Sequence, residues 1–323
     1  MGTFRWAYVG SGNIAKSTAR SITKGDHAIT AVYSRNAAKA HSFAKKYGAA
    51  VFESFDALLE SNDFDAVYIA TPHTSHITYA LQALQAGKPV LCEKPVGVTA
   101  AEAEAMVKTA REQQVYFCEA MWTWFSDVAL TVKRWIAEQR IGEVREVLID
   151  YAFPGLMMSK NSRVLTPETA GGALLDIGIY PITYCYNLFG YPESVRCEGT
   201  LKNGIDIEET VVLGYGGFNC RMKMSLSTLK EGCRIVGTKG EISLPMFHMA
   251  RIAALKADGK TERFKGKTDY LTEFTRAAEE IRSGKTESAY IPHRATCDCL
   301  KIMDECRRQM GLVYPFENRD DIS

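Results

Sequence analysis

The stretch that decides the first half of the fold is Val9-Gly10-Ser11-Gly12-Asn13-Ile14-Ala15. It follows a short apolar run, Phe4 to Val9, and opens an Ala-rich polar segment, so we expect strand, tight turn and helix. In this context the GxGxxA pattern is typical of a dinucleotide-binding βαβ unit. Gly10 permits the turn, Gly12 lets the backbone approach a pyrophosphate, and Ala15 allows close packing of helix on strand.

Outward from this stretch, short apolar strands alternate with helical segments to about residue 120, which predicts a doubly wound parallel α/β Rossmann domain over residues 1–120. In the second half, strands follow one another, and Gly216-Gly217 predicts a tight hairpin. We therefore expect an α+β domain with an open, mostly antiparallel sheet over residues 121–323. We expect the free face of that sheet to carry apolar stripes and to support a homodimer.

The composition excludes several classes of protein. The chain has 323 residues, 46% hydrophobic and 24% charged, with a formal net charge of +1. The near-neutral charge argues against binding to nucleic acid, and no apolar run is long enough for a membrane span. Nine cysteines without a CxxC pair predict neither a disulfide scaffold nor a metal site, so we expect a reducing, cytoplasmic environment.

The end of the second strand bears on which dinucleotide is bound. An NAD-selective site places a carboxylate there to bind the ribose 2′-hydroxyl, but this strand ends in Tyr33-Ser34-Arg35. An arginine at this point pairs with a 2′-phosphate. The sequence therefore favours NADP over NAD as the cofactor.

Two further strand ends carry polar residues toward the same edge of the sheet, where ligands bind in open α/β folds. One reads Thr71-Pro72-His73-Thr74-Ser75-His76, and the other reads Glu93-Lys94-Pro95. Pro95 predicts a fixed turn that would aim Lys94 at the cleft, and a cis peptide bond is possible in that turn. The histidines also fit a purely structural role. The residues predicted to bind the cofactor are Gly10, Gly12, Asn13, Ile14, Ser34, Arg35, Thr71, Pro72, His73, His76, Glu93 and Lys94.

Together, the runs VGSGNIA, ATPHTSH, EKP and GGALLDIGIYP make the chain similar to the Gfo/Idh/MocA family of oxidoreductases. It resembles most the branch of dihydrodiol dehydrogenase and NADP-dependent D-xylose dehydrogenase. The resemblance implies an NADP-dependent dehydrogenase acting on the CH–OH group of a sugar, cyclitol or trans-dihydrodiol. Where close relatives often read WTRF, this chain has Trp122-Thr123-Trp124-Phe125, which leaves the substrate open.

The family's catalytic roles correspond to Lys94, Asp176 and Tyr180 in this sequence. Asp176 and Tyr180 are four residues apart, so they would share one face of a helix that Pro181 loosens. In the implied reaction Tyr180 takes the hydroxyl proton, Lys94 stabilises the developing alkoxide, and Asp176 holds a neighbouring hydroxyl. The expected pocket wall consists of Trp122, Phe153 and Arg163.

Two alternatives use the same fold. One is a regulatory protein that senses a sugar or dinucleotide without turnover, because fold does not determine function. The other is an NAD-dependent glycosidase, which would retain its cofactor and give no net reduction of it.

Overall fold

A computed structural model describes residues 2–159 and 162–317. Within these ranges no helix combines the length and the apolar character that crossing a membrane requires. The chain forms two compact units. The first contains the residues up to Trp122 together with Asp269–Cys297, and the second contains Thr123–Thr268 and the residues from Asp298 onward.

The first unit is built on a six-stranded parallel sheet, as the alternating pattern predicts. Its strands are β1 (Phe4–Val9), β2 (His27–Tyr33), β3 (Ala50–Val51), β4 (Ala66–Ile69), β5 (Val90–Glu93) and β6 (Phe117–Ala120). Their order in the sheet is β3-β2-β1-β4-β5-β6. The chain order therefore reverses between β1 and β4, which is where such a sheet opens a crevice for a ligand.

Five helices connect these strands: α1 (Asn13–Ile22), α2 (Ala37–Tyr47), α3 (Phe55–Glu60), α4 (His76–Gln85) and α5 (Ala100–Gln113). Local capping determines where several of them begin. The side chains of Asn36, Ser54 and Thr99 each accept a hydrogen bond from the backbone N–H three residues later. At α5 the Thr99 hydroxyl accepts from the Glu102 N–H, and Glu102 Oε2 in turn accepts from the Val98 N–H, so the two side chains fix the start of the helix together.

The second unit is built on an eight-stranded sheet in the order β14-β13-β12-β11-β7-β10-β9-β8. The strands are β7 (Val144–Ala152), β8 (Ser194–Lys202), β9 (Ile205–Tyr215), β10 (Phe218–Ser225), β11 (Lys230–Gly237), β12 (Gly240–Leu244), β13 (Ile252–Ala257) and β14 (Lys260–Lys265). Every pair is antiparallel except β7 with β10. The sheet is therefore open and mostly antiparallel, which confirms the predicted α+β class.

Helices cover one face of this sheet. Before β7 comes α6 (Asp127–Ala137), and after it a π-helical segment, Leu174–Gly178, leads directly into α7 (Ile179–Phe189). The widened turn lies just ahead of Pro181, which lacks an N–H and crowds the carbonyl four residues earlier. On β10, Cys220, Met222 and Met224 are buried toward the core, as their alternation predicts.

The opposite face of this sheet carries charged residues as well as apolar ones. A cavity of about 540 Å³ on the second unit has charges of both signs in its lining, among them Glu198, Glu208, Lys223 and Lys230. The alternation that buries the sulfur-containing side chains of β10 on one face exposes Arg221 and Lys223. Apolar residues lie among these charges, because Leu148 of β7 and Val212 of β9 pair with Arg221 and share its face.

Two helices close the chain, α8 (Tyr270–Arg282) and α9 (His293–Met310). Phe274 of α8 is completely buried against the first sheet, with its ring centre 4.8 Å from both Trp6 and Tyr68. As a result α8 belongs to the first unit, whereas a single boundary at residue 121 would assign it to the second.

Candidate active site

The turn after β1 forms a cradle at the start of α1. Gly10 has a φ of +102°, and a Cβ there would lie 2.7 Å from the carbonyl oxygen of Ala70. A Cβ on Gly12, by contrast, would meet nothing within 4 Å, and Gly12 is the N-cap of α1. The open space therefore lies directly before the first N–H groups of the helix, those of Asn13 and Ile14, where a pyrophosphate fits.

A cavity of about 230 Å³ continues from this turn to the end of β2. Ser34 and Arg35 line it, and the Ser11 hydroxyl donates a 3.3 Å hydrogen bond to that of Ser34. None of the described lining residues is a carboxylate, so the surface suits a 2′-phosphate better than a bare ribose hydroxyl. Lys39 and Tyr79 also line the cavity. The sequence reasoning missed both, although a lysine in the first turn of α2 is a recognisable signal.

The end of β4 contributes Thr71 and Pro72 to the same cavity. The Thr71 hydroxyl oxygen is buried and makes no hydrogen bond within the described residues. A buried polar atom is costly without a partner, so this hydroxyl is suited to a ligand group in the cavity. The cradle, the polar lining and this hydroxyl together fit a phosphorylated dinucleotide.

His76, at the start of α4, joins two strand ends. Its Nε2 lies 2.8 Å from the carbonyl oxygen of Thr71, and its Nδ1 lies 2.9 Å from the carbonyl oxygen of Pro95. Carbonyl oxygens only accept hydrogen bonds, and a neutral imidazole carries its hydrogen on one ring nitrogen, so the tautomer decides which of the two carbonyl groups receives it. His73 is also buried, with its ring centre 6.3 Å from that of His76. In this structure His76 connects the two loops that were predicted to bind cofactor.

Lys94 follows β5 directly, and backbone contacts hold the turn around it. The peptide bond from Lys94 to Pro95 is cis, the possibility that the sequence raised. Glu93 Oε2 accepts from the Lys94 N–H at 3.3 Å, and its other oxygen accepts from the buried Tyr68 hydroxyl. On the far side of the proline, Glu119 Oε1 accepts from the Val96 N–H at 3.0 Å.

Glu119 has an unusual charge state for a carboxyl group. It lies at the end of β6 and is 2% exposed. Burial raises the pKa of Glu119 to about 7, although the Val96 N–H, Thr296 and the Lys94 ammonium act in the opposite direction. The pair of carboxyl groups that holds the Lys94 turn therefore includes one that changes its protonation near neutral pH.

In the second unit, an ion pair forms beside the π-helical segment. Arg163 Nη2 donates a 2.5 Å hydrogen bond to Asp176 Oδ1, and the Asp176 side chain is 12% exposed. A mostly buried carboxylate is stable here because the guanidinium compensates its lost hydration. Arg163 was expected to be part of the pocket wall, which stays a prediction, and in the structure its guanidinium pairs with Asp176.

The glycines of GGALLDIGIYP explain the local path of the chain. A Cβ on Gly171 would lie 2.6 Å from the carbonyl oxygen of Val164, and one on Gly172, at a φ of +128°, would lie 2.0 Å from Asp206 Oδ1. The buried Asp206 accepts a hydrogen bond from the Leu174 N–H at 2.5 Å. This carboxyl group therefore fixes the start of the segment that carries Asp176.

Tyr180, in the first turn of α7, is 9% exposed. Its ring centre lies 5.8 Å from that of Tyr151 and 5.4 Å from that of His248. Sequence reasoning did not predict His248, because a lone histidine in a loop has no distinctive pattern.

The remaining predicted residues fall in separate places. Phe153 is half-buried directly after β7 in the second unit. Trp122 belongs to the first unit, where its ring centre lies 5.0 Å from that of Tyr270. Lys94 belongs to the first unit, whereas Asp176 and Tyr180 belong to the second. The predicted residues are thus divided between the two units, with the turn that opens α1 in the first and the segment that carries Asp176 and Tyr180 in the second.

This combination of a Rossmann unit and an open-sheet unit defines a class of oxidoreductase. Residues 4–120 match the model of an oxidoreductase family with an NAD-binding Rossmann fold, GFO/IDH/MocA. Residues 129–243 match the GFO/IDH/MocA C-terminal domain. The chain belongs to this family, which confirms the resemblance seen in its motifs.

Similar proteins extend over nearly the whole chain. Trans-1,2-dihydrobenzene-1,2-diol dehydrogenase of Danio rerio is 32% identical, with 98% of this chain and 99% of that protein aligned. The scyllo-inositol 2-dehydrogenase (NADP(+)) IolU of Bacillus subtilis is 34% identical over 90% of this chain and 92% of its own. Among solved structures, the 3-ketoreductase KijD10 of Actinomadura kijaniata in complex with NADP has a TM-score of 0.85 at 21% identity, covering 96% of this chain and 98% of its own.

Proposed function

We propose that this protein is an NADP-dependent dehydrogenase acting on a hydroxyl-bearing carbon of a sugar, a cyclitol or a trans-dihydrodiol. The proposal rests on two side chains whose chemistry can handle a proton, Lys94 directly after β5 in the first unit and the mostly buried Tyr180 of α7 in the second. Relatives named as diol and inositol dehydrogenases, similar over at least nine-tenths of the chain, support the substrate class.

The same relatives and the cavity support NADP. The name of the inositol dehydrogenase includes NADP(+), and KijD10 was solved with NADP. In this chain Gly10, Gly12 and the N–H groups that open α1 would hold the pyrophosphate. Ser34 and Arg35 would hold the 2′-phosphate, with Lys39 as a further cation beside them. When bound, the nicotinamide supplies hydride acceptance or donation.

The residues of the chain handle the proton and orient the substrate. In the oxidation direction a C–H and an O–H bond break as the carbonyl forms, and Tyr180, acting from its phenolate form, takes the hydroxyl proton. The Lys94 ammonium stabilises the negative charge on the oxygen as the proton leaves. Asp176, oriented by Arg163, accepts a hydrogen bond from a neighbouring hydroxyl. Trp122 and Phe153 supply apolar contacts to a ring substrate.

The test is incubation of the protein with NADP and a panel of aldoses, inositols and cyclic diols, with NADPH absorbance as the readout. We expect net reduction with at least one member of the panel. Lys94→Ala should abolish that turnover, whereas Lys24→Ala, at an exposed position after α1, should not. Tight cofactor retention without net reduction would favour a glycosidase, and binding without any turnover would favour a sensor.

We also propose a homodimer formed through the open face of the C-terminal sheet. An isologous interface pairs a surface with itself, so Glu198 and Glu208 of one copy can face Lys223 and Lys230 of another. Sedimentation velocity should give a dimer, and monomer alone at high concentration would contradict this.

All nine cysteines are free thiols, which supports our proposal of a reducing, cytoplasmic location.

A further inference from the structure

The loop between β12 and β13 places His248 in a cluster of aromatic rings. Its ring centre lies 4.6 Å from that of Tyr151, with an interplanar angle of 32°. It lies 5.4 Å from that of Tyr180, with an angle of 56°. The two tyrosine rings meet at 5.8 Å and 74°. All three residues belong to the second unit, so the cluster forms within one compact body.

Glu231 holds the imidazole of His248 in place. Its Oε1 lies 2.7 Å from His248 Nδ1 and accepts a 2.9 Å hydrogen bond from the His248 backbone N–H. The two side chains are 15% and 12% exposed. A carboxylate only accepts, so the hydrogen is on Nδ1, and Nε2 is the nitrogen on the other side of the ring.

The strands place this carboxylate beside the tyrosines. Glu231 of β11 pairs directly with Tyr151 of β7 in the antiparallel ladder, so their side chains lie side by side on one face. Phe247 anchors the loop, because its side chain is buried at 4% exposure and its ring centre lies 5.5 Å from that of Tyr151. The neighbouring Met246 and Met249 are exposed. His248 therefore points inward as part of a built arrangement.

We propose that Glu231 and His248 form a positioning dyad for Tyr180. The dyad holds the phenol in the orientation from which it exchanges the substrate proton, and acts on the reaction only through Tyr180. A hydrogen bond to a carboxylate is short and strong, so it fixes the imidazole more firmly than packing alone. Proton transfer depends steeply on orientation, which makes such support worth a large factor in rate. The inference rests on the proposed role of Tyr180 as the proton acceptor.

The kinetic test uses the full chain and the substrate that the panel identifies. His248→Phe keeps a ring but removes the nitrogen that faces Glu231, so kcat should fall about tenfold to a hundredfold. KM and NADPH affinity should stay within about twofold, because neither binding surface changes. His248→Asn retains a donor near the Nδ1 position and should recover most of the loss. His41→Phe, at an exposed position in α2, is the control and should change nothing.

A spectroscopic test separates this inference from the proposed function. With ¹³C-labelled tyrosine, the Cζ signal of Tyr180 is assigned by its absence in Tyr180→Phe. That signal should move in both His248→Phe and Glu231→Gln, whether or not a substrate is known. If it moves in neither variant, the dyad does not act on Tyr180 and the inference is overturned. Unchanged kcat in His248→Phe, with Tyr180→Phe inactive, would overturn it as well. Activity in Tyr180→Phe would instead contradict the proposed function, and with it the role of the dyad in the reaction, whereas the Cζ signal would still show whether Glu231 and His248 hold the Tyr180 ring.

Discussion

Arg163 and Asp176, thirteen residues apart in the chain, form an ion pair in which Nη2 donates to Oδ1 at 2.5 Å. The aspartate is much the less exposed partner, at 12% against 36% for the arginine side chain. Asp176 therefore depends on Arg163 for both its charge balance and its orientation.

Removing the guanidinium of Arg163 should lower the rate of the reaction while it leaves the affinity for the cofactor nearly unchanged. We expect Arg163→Met to lower kcat/KM about tenfold to a hundredfold, since a hydrogen bond between charged groups contributes roughly 1.5–3 kcal/mol. Arg163→Lys should lose less, because it keeps the charge but not the planar geometry. Steady-state kinetics and NADPH fluorescence titration measure both quantities. Arg20→Met, an exposed arginine in α1, is the control, and an equal loss there would contradict the assignment.

The two glycines of the cradle should respond differently to alanine. Gly12→Ala adds a methyl group into open space, so the melting temperature should hold while NADPH affinity falls about tenfold or more. Gly10→Ala forces a side chain against the Ala70 carbonyl at a positive φ, so it should cost about 2–4 kcal/mol of stability. Thermal unfolding and ligand titration distinguish the two effects. Gly217→Ala is the control, because its Cβ would meet nothing within 4 Å, and it should change neither the melting temperature nor NADPH affinity. Tight NADPH binding by Gly12→Ala would contradict the role of this turn in holding the cofactor.

Arg35 should determine the choice between the two dinucleotides. Arg35→Asp places a carboxylate at the end of β2, which repels a 2′-phosphate and accepts from a ribose hydroxyl. We expect NADPH to bind about tenfold to a hundredfold more weakly, while NADH binds equally well or better. Fluorescence titration with both nucleotides gives the ratio. Lys24→Asp makes the same charge change at a distant exposed site, and an equal change in the ratio there would leave Arg35 without a specific role.

Glu119 should make stability depend on pH. Its pKa is raised from 4.5 to about 7 in the folded chain, so between these values the folded state keeps a proton that the unfolded state has lost. The contribution of Glu119 to the free energy of unfolding therefore falls as pH rises from 4.5 to 7 and no longer changes with pH above that. A glutamine side chain at this position is neutral at every pH. As pH rises from about 5 to about 8, the free energy of unfolding of Glu119→Gln should therefore increase by about 2–3 kcal/mol relative to that of the natural chain. Urea unfolding across this range measures the difference, and parallel curves would show that Glu119 does not titrate there.

The sequence by itself determined the fold class of each unit and the turn that opens α1. The strand β1 begins and ends where the apolar run predicts, and β2 ends at Tyr33 as expected, because hydrophobic period is a local property. Gly10 and Gly12 also follow from local geometry, since a turn between strand and helix leaves few alternatives. Strand ends that carry Arg35 and Lys94 could be placed at one edge because all parallel strands finish on the same side of their sheet.

Only the tertiary structure decided which distant side chains meet. Nothing in the chain pattern pairs Glu231 with His248, or assigns α8 to the first unit through Phe274 and Trp6. The charged residues that line a cavity on the free face of the second sheet were likewise missed. A hydrophobic pattern specifies that a residue is buried, but the partner is set by how whole elements pack, which depends on shape and volume summed over many residues.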